Sequence, residues 1–178
     1  MKFLKFLPLL LLFASLPAMA QIVGLYSGYS ASKINAPHAD WISGPIVGAY
    51  GDKGHIFFLK TGLDMRGAFL FGGDYTHLFN VLAGPRLIFR PRVVPLQPYA
   101  EGLVGLGHYV SGSQPQVGRG PANGTYDELE YQIIGGMDLN VAPHVDWRVV
   151  EFSYSGISGL GLSSHPRSVI MGIVVRLP

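Results

Sequence analysis

Glu128-Leu129-Glu130-Tyr131-Gln132-Ile133-Ile134-Gly135-Gly136-Met137-Asp138-Leu139-Asn140-Val141 decides the fold. Its even positions carry Glu128, Glu130, Gln132, Ile134, Gly136, Asp138 and Asn140. Its odd positions carry Leu129, Tyr131, Ile133, Gly135, Met137, Leu139 and Val141. One row is mostly charged or polar; the other has no polar side chain except a tyrosine. A period of two held for about fourteen residues is a β-strand more than twice the usual length. A strand that long, charged on one side and apolar on the other, suits the wall of a transmembrane β-barrel.

The alternation recurs along the chain. Segment 55–67 sets Lys60, Asp64 and Arg66 opposite Phe57, Leu59, Leu63 and Met65. Segment 74–90 sets Phe79, Val81, Ala83, Leu87 and Phe89 opposite Asn80, Arg86 and Arg90. Segment 168–177 sets Val169, Met171, Ile173, Val175 and Leu177 opposite Ser168, Gly172 and Arg176. With segments 22–31, 43–51, 97–110, 128–141 and 147–155, the chain is expected to form about eight strands and an all-β fold. Eight is the smallest common size of a bacterial outer-membrane barrel. Gly51-Asp52-Lys53-Gly54 is expected to be a tight turn, and links 91–96 and 142–146 are short. Links 32–42, 69–73, 111–127 and 156–167 are longer and fall on the other rim, as extracellular loops do.

Residues 1–20 point to export. Lys2 and Lys5 precede an apolar run over 6–16, and Ala18-Met19-Ala20 forms a cleavage site. This predicts a signal peptide over 1–20 and one barrel domain over 21–178. The apolar run is too short for a membrane helix. The chain has 13 Lys+Arg and 11 Asp+Glu, so losing Lys2 and Lys5 leaves a formal charge of zero. No basic patch suggests nucleic acid. Charged residues make up 13% of the chain, about half the share in soluble domains, which suits a wall facing lipid. With no cysteine there is no disulfide framework.

Alternation alone leaves two arrangements, polar-in as in membrane barrels or apolar-in as in lipocalins. Low charge and large apolar rows favour polar-in. The lumen row then holds Lys60, Arg66, Arg86, Arg90 and Arg176 against Asp64, Glu101, Glu128, Glu130, Asp138 and Glu151. An eight-stranded barrel is just wide enough for side chains to fill it. Near-balanced charges therefore predict a salt-bridged plug, with Gly62, Gly105 and Gly136 making room for long cationic side chains. Arg148 and Glu151 have opposite parity, which predicts either a place for one at the rim or a β-bulge. Tyr50, Tyr75, Tyr99, Tyr109, Tyr126, Trp147 and Tyr154 fall near strand ends, where interfacial girdles and ordinary strand composition both place such residues.

The segments LAGPRLIFRP, QPYAEGLVGLGHY, IIGGMDLNVAPHVDWRVVEFSYS and IMGIVVRLP resemble the outer-membrane β-barrel family of small OmpA-like and OmpX-like proteins. The match is nearest to short barrels of acidobacterial type, through Gly84-Pro85-Arg86, Pro98-Tyr99-Ala100-Glu101 and Gly135-Gly136-Met137-Asp138. It implies an up-and-down eight-stranded antiparallel transmembrane barrel in the outer membrane. The role it implies is structural, with surface adhesion through the loops; a narrow porin-like channel is the alternative. The implied partners are outer-membrane lipid, lipopolysaccharide and the barrel-assembly machinery, with the protein a monomer. The chain departs from the family in ending Arg176-Leu177-Pro178 without the terminal aromatic residue that the machinery reads, and it shows no peptidoglycan-binding domain.

Catalysis on lipid A would need a serine, a histidine and an acid at the outer rim. His108 with Ser111, and Ser163 and Ser164 with His165, fall near that rim, but the H-x-S pattern of lipid A deacylases is absent. The histidines are scattered, with no H-x-H or H-x-x-x-H, so no metal or cofactor is expected. Loop 111–127 is rich in Gly and Pro and reads as a surface loop.

Overall fold

The computed structural model describes residues 22–36, 39–56, 59–72, 77–91, 94–110, 125–158 and 165–177. The expected signal peptide and most of loop 111–127 lie outside the described residues. Eight strands follow one another: β1 (Ile22–Ala36), β2 (Ala39–Ile56), β3 (Leu59–Gly72), β4 (His77–Phe89), β5 (Leu96–Val110), β6 (Thr125–Ala142), β7 (Val145–Ser158) and β8 (Arg167–Leu177). Each pairs antiparallel with its sequence neighbours, and β8 closes on β1.

The register fixes the barrel's shape. Pairs lead from Ile22 through Asp52, Gly62, Arg86, Glu101, Ile134, Ser153 and Ser168 to Ser32. One circuit thus returns to β1 displaced from position 22 to position 32, a shear of ten residues. With strands ~4.8 Å apart and a rise of ~3.3 Å per residue, that shear tilts the strands by about 40°. Even β8, with 11 residues, then rises about 27 Å along the axis. An outer-membrane apolar band is about 25 Å tall, so every strand is long enough to cross one.

Burial alternates residue by residue, and its sense is inverted relative to a soluble protein. Leu25, Val47, Met65, Val81, Val104, Ile133, Phe152 and Ile173, one from each strand, are 45–63% exposed. Arg86, Arg148, Glu130 and Glu151 are at most 1% exposed. Polar-in is therefore the arrangement, and the lipocalin-like alternative is set aside.

Several expected boundaries shift. Gly51-Asp52-Lys53-Gly54 is not a turn, because β2 runs through it with an irregularity between Asp52 and Gly54, which pair with Gly62 and Thr61. Glycines flanking Asp-Lys serve a bulge as well as a turn, since both need one extra residue absorbed. Positions 55 and 56 consequently belong to β2, and β3 begins at Leu59. Strands β1 and β2 also climb further than expected, so the link between them shrinks from 32–42 to positions 37–38. The long links are 111–124 and the stretch between Ser158 and Arg167. The opposite, terminus end keeps short connections, among them Pro143-His144, where His144 takes a left-handed φ of 67°.

Candidate functional site in the barrel lumen

Because the strands tilt, each step to the next strand climbs by about 1.25 residues, one eighth of the shear. Sorting inward side chains by that rule divides the lumen into tiers. At the mouth of the terminus end, Arg90 pairs with Asp52 at 2.9 Å and Arg176 with Asp146 at 2.9 Å. Asn140 donates to Asp146 at 2.9 Å, and Lys60 stands half-buried nearby, outside the ion-pair network.

The next tier is the densest. Arg66 bonds Glu151 and Glu101, each at 2.5 Å, and lies 3.6 Å from Asp64. Arg86 bonds Glu101 at 2.6 Å and Asp138 at 3.2 Å. Arg148 bonds Asp138 at 3.1 Å and Glu151 at 3.0 Å. Three guanidinium groups thus interlock with four carboxylates contributed by β3, β4, β5, β6 and β7. Tyrosines complete the tier. Arg86 lies between the Tyr50 and Tyr99 rings, 4.1 and 4.2 Å from their centroids. Arg148 covers Tyr26 at 4.2 Å. Tyr26 donates to Asp64 at 2.8 Å and Tyr99 to Glu151 at 2.6 Å. Removing a cation from such a cluster leaves buried charge uncompensated, at a cost of ~3–5 kcal/mol.

Glycine opposite each ring makes this packing possible. Gly24 pairs with Tyr50, Gly48 with Tyr26 and Gly136 with Tyr99, and each tyrosine lies over its partner where a Cβ would stand. Gly136 therefore makes room for a tyrosine rather than for an arginine or lysine. An added Cβ at Gly62 or Gly105 would meet the neighbouring strand's backbone. The same device recurs on the outer wall, where Tyr131 covers Gly156.

Above this tier Ile46 and Ile170 belong to one buried apolar cluster and Leu82 and Leu103 to another. Beyond them comes a second polar tier of different chemistry. Glu130 is 1% exposed and accepts hydrogen bonds from Asn80 Nδ2 at 2.9 and 3.1 Å and from Gln132 Nε2 at 3.2 Å. No cation reaches it among the described residues. Ser30, Ser32, Ser153, Ser155 and Ser168 surround a cavity of about 20 Å³ beside it, with room for about one water. Toward the loop end Ile34, Ile42, Leu70 and Leu78 are buried in one apolar cluster, and Ile157 is buried on β7.

Of the expected lumen charges, Asp64, Arg66, Arg86, Glu101 and Asp138 meet in one network, joined by Glu151. Arg176 pairs separately, Glu130 has only amide and hydroxyl company, and Lys60 stays at the mouth. Glu128 is half-buried near the loop end. Arg148 belongs to the network because β7 shifts register between Arg148 and Glu151, turning both inward. Asp52 and Asp146 were hidden in expected connections. Tyr50 and Tyr99 are not girdle residues, being 2% and 5% exposed; Trp147 and Tyr154, at 43% and 38%, do face outward. Tyr75 lies outside the described residues.

At the loop rim, His108 and Asp127 face outward and bond at 2.6 Å, while His165 stacks on Tyr154 at 5.4 Å. Ser111, Ser163 and Ser164 lie outside the described residues. No hydroxyl bonds His108 among the described residues.

No protein-family model matches the chain, and no curated protein does. Solved structures do. Neisserial surface protein A (NspA) superposes with a TM-score of 0.59 at 14% identity, covering 91% of this chain and 100% of that one. Ail, the attachment invasion locus protein of Yersinia pestis, in complex with the heparin analogue sucrose octasulfate, gives 0.55 at 15% identity, covering 89% and 100%. The outer membrane enzyme PagL gives 0.53 at 14% identity, covering 85% and 98%. At these identities the likeness is one of fold, and nothing in it singles out the acidobacterial type. The closed ring, the inverted burial and these neighbours agree that the chain has the eight-stranded antiparallel fold of small outer-membrane barrels.

Proposed function

We propose that this protein is an integral outer-membrane barrel with a structural role, presenting its loop end to the cell exterior for surface contacts. The observation that carries the reading is the inverted burial. Each strand offers exposed aliphatic or aromatic side chains around the whole circumference, while guanidinium and carboxylate groups fill the interior. In water such a surface would aggregate, whereas lipid solvates it. The export signal expected over residues 1–20 and the short connections at the terminus end support a periplasmic position for that end. Assembly through the barrel-assembly machinery, with Leu177 in place of a terminal aromatic residue, follows from the same reading, as does a monomer surrounded by lipid and lipopolysaccharide. Ail supports an adhesive use of the exposed rim by its fold.

Gel mobility of the extracted outer-membrane fraction tests the reading. A folded barrel gives a compact unboiled band that shifts on boiling. Release with soluble periplasmic protein, without a heat shift, overturns it.

A conducting pore is disfavoured, since the ion-paired arginine tier fills the lumen. Arg86→Ala or Glu101→Ala should raise bilayer conductance above the wild-type level. No current from either variant would show that the arginine tier is not what closes the barrel. The His108–Asp127 pair at the loop rim and the fold shared with the outer membrane enzyme PagL favour an enzyme as the second reading, with lipid A the substrate class weighed from the sequence. An unaltered lipid A mass spectrum after deletion of the gene removes it.

A further inference from the structure

Outward-facing charge is scarce on this barrel, and its placement is uneven. Lys33 on β1 and Arg167 on β8 both point outward and are directly paired across the ladder. Like charges in that relation repel. Neither has an ion-pair or hydrogen-bonding partner among the described residues. Asp127, an outward acid at the same rim, sits on β6 and is already bonded to His108. Two neighbouring cations on a lipid-facing wall, with no acid bonded to either among the described side chains, form a seat for an anion from outside the chain.

The residues flanking the pair describe that anion's surroundings. Trp41 pairs with Lys33 from β2, and Tyr154 pairs with Arg167 from β7. Four adjacent strands thus present aromatic, cation, cation, aromatic in one row. Trp41 is 58% exposed and Tyr154 38%. Tryptophan and tyrosine in a barrel wall sit at headgroup depth, so the row marks the lipid–water interface. Immediately below it, toward the barrel's midline, Ile133, Phe152 and Val169 are 63%, 59% and 41% exposed. Cations and apolar side chains together line one groove of about 400 Å³. Lys53, an outward cation of the opposite rim, lies roughly 27 Å away along the axis, so the two rims bracket an apolar band of the expected height.

We propose that this groove is a binding site for a phosphate-bearing outer-leaflet glycolipid, lipopolysaccharide, with its phosphate held between Lys33 and Arg167 and an acyl chain lying on Phe152, Val169 and Ile133. The proposal rests on the outer-membrane reading above and adds a specific seat to it. A phosphate carries enough acceptor oxygens for the Arg167 fork and the Lys33 ammonium at once. Its negative charge relieves their mutual repulsion. Trp41 and Tyr154 bound the headgroup laterally.

The test uses the whole barrel in phospholipid nanodiscs, titrated with lipopolysaccharide, with dephosphorylated lipopolysaccharide and with phosphatidylglycerol. The paired variant is Lys33→Gln with Arg167→Gln. The heat shift on gels is read for both proteins, so that a failure to form a membrane barrel is recognised separately from a failure to bind. Wild type is expected to bind lipopolysaccharide at least ~10-fold more tightly than the double variant, from about 1 kcal/mol per basic residue near a charged surface. The dephosphorylated form should bind the two proteins equally. Equal lipopolysaccharide affinity in a heat-shifting wild type and variant overturns the proposal. So does equal affinity of wild type for the dephosphorylated form, which would leave only an apolar seat, or for phosphatidylglycerol, which would make any anionic lipid the occupant.

Discussion

Glu101 on β5 and Glu130 on β6 both point into the lumen and are 4% and 1% exposed, yet their company differs in kind. Glu101 bonds two guanidinium groups that are themselves shared with Asp138 and Glu151. Glu130 is held by carboxamides beside a row of serine hydroxyls. The terminus half of the lumen is thus ordered by charge and stacked tyrosines, the loop half by hydrogen bonds from uncharged donors among buried apolar side chains. A buried carboxylate with two cations is costly to disturb, because each partner is left behind uncompensated. A buried carboxylate with none already bears most of its desolvation penalty, and losing its charge relieves it.

The largest effect should come from Arg86→Leu, which strips Glu101 and Asp138 of a partner and empties the space between Tyr50 and Tyr99. We expect a loss of ~3–5 kcal/mol in urea unfolding of the detergent-folded barrel. A loss below ~1 kcal/mol would mean that the charged tier adds little. Gly136→Val is next. It drives a side chain into the Tyr99 ring and should cost ~1–3 kcal/mol, whereas Gly102→Val, on a glycine with open space around its Cβ position, should cost much less. Equal costs would break the argument that glycine is needed beneath the rings. Tyr99→Phe removes one hydrogen bond to a carboxylate and should cost about 1.5–3 kcal/mol by the same measurement. Glu130→Gln sharpens the contrast most. Its effect should lie within about 1 kcal/mol of zero or be stabilising, while Glu101→Gln destabilises. A destabilisation by Glu130→Gln as large as that of Arg86→Leu would show that the loop half also depends on charge.

The wall was legible in the sequence because each long strand keeps its period of two for most of its length. The exceptions have local causes. Asp52 and Arg148 stand beside register shifts, where parity counted from one end of a strand fails at the other. Asp146 was missed because the connection after β6 is only Pro143-His144, so the strand resumes earlier than a loop of ordinary length allows. Tyr99 carried a readable signal. It shares the parity of Glu101, which separates it from a girdle position that its place near a strand end leaves open. The pairing of Tyr50 with Gly24 and of Tyr99 with Gly136 needed the register, which no single strand contains. The lone state of Glu130 likewise depends on which tier each strand's charges reach, and that follows from the shear.

The central claim, polar interior and lipid-facing apolar wall, is tested most directly on the segment that opened the argument. The chain has no cysteine, so single cysteines at 129 to 134 can each carry a spin label. Collision with oxygen, which partitions into lipid, should peak at 129, 131 and 133 and fall at 130, 132 and 134. A water-soluble nickel chelate should reach none of the six freely. Oxygen maxima at the even positions, or a flat profile along the strand, would contradict the account.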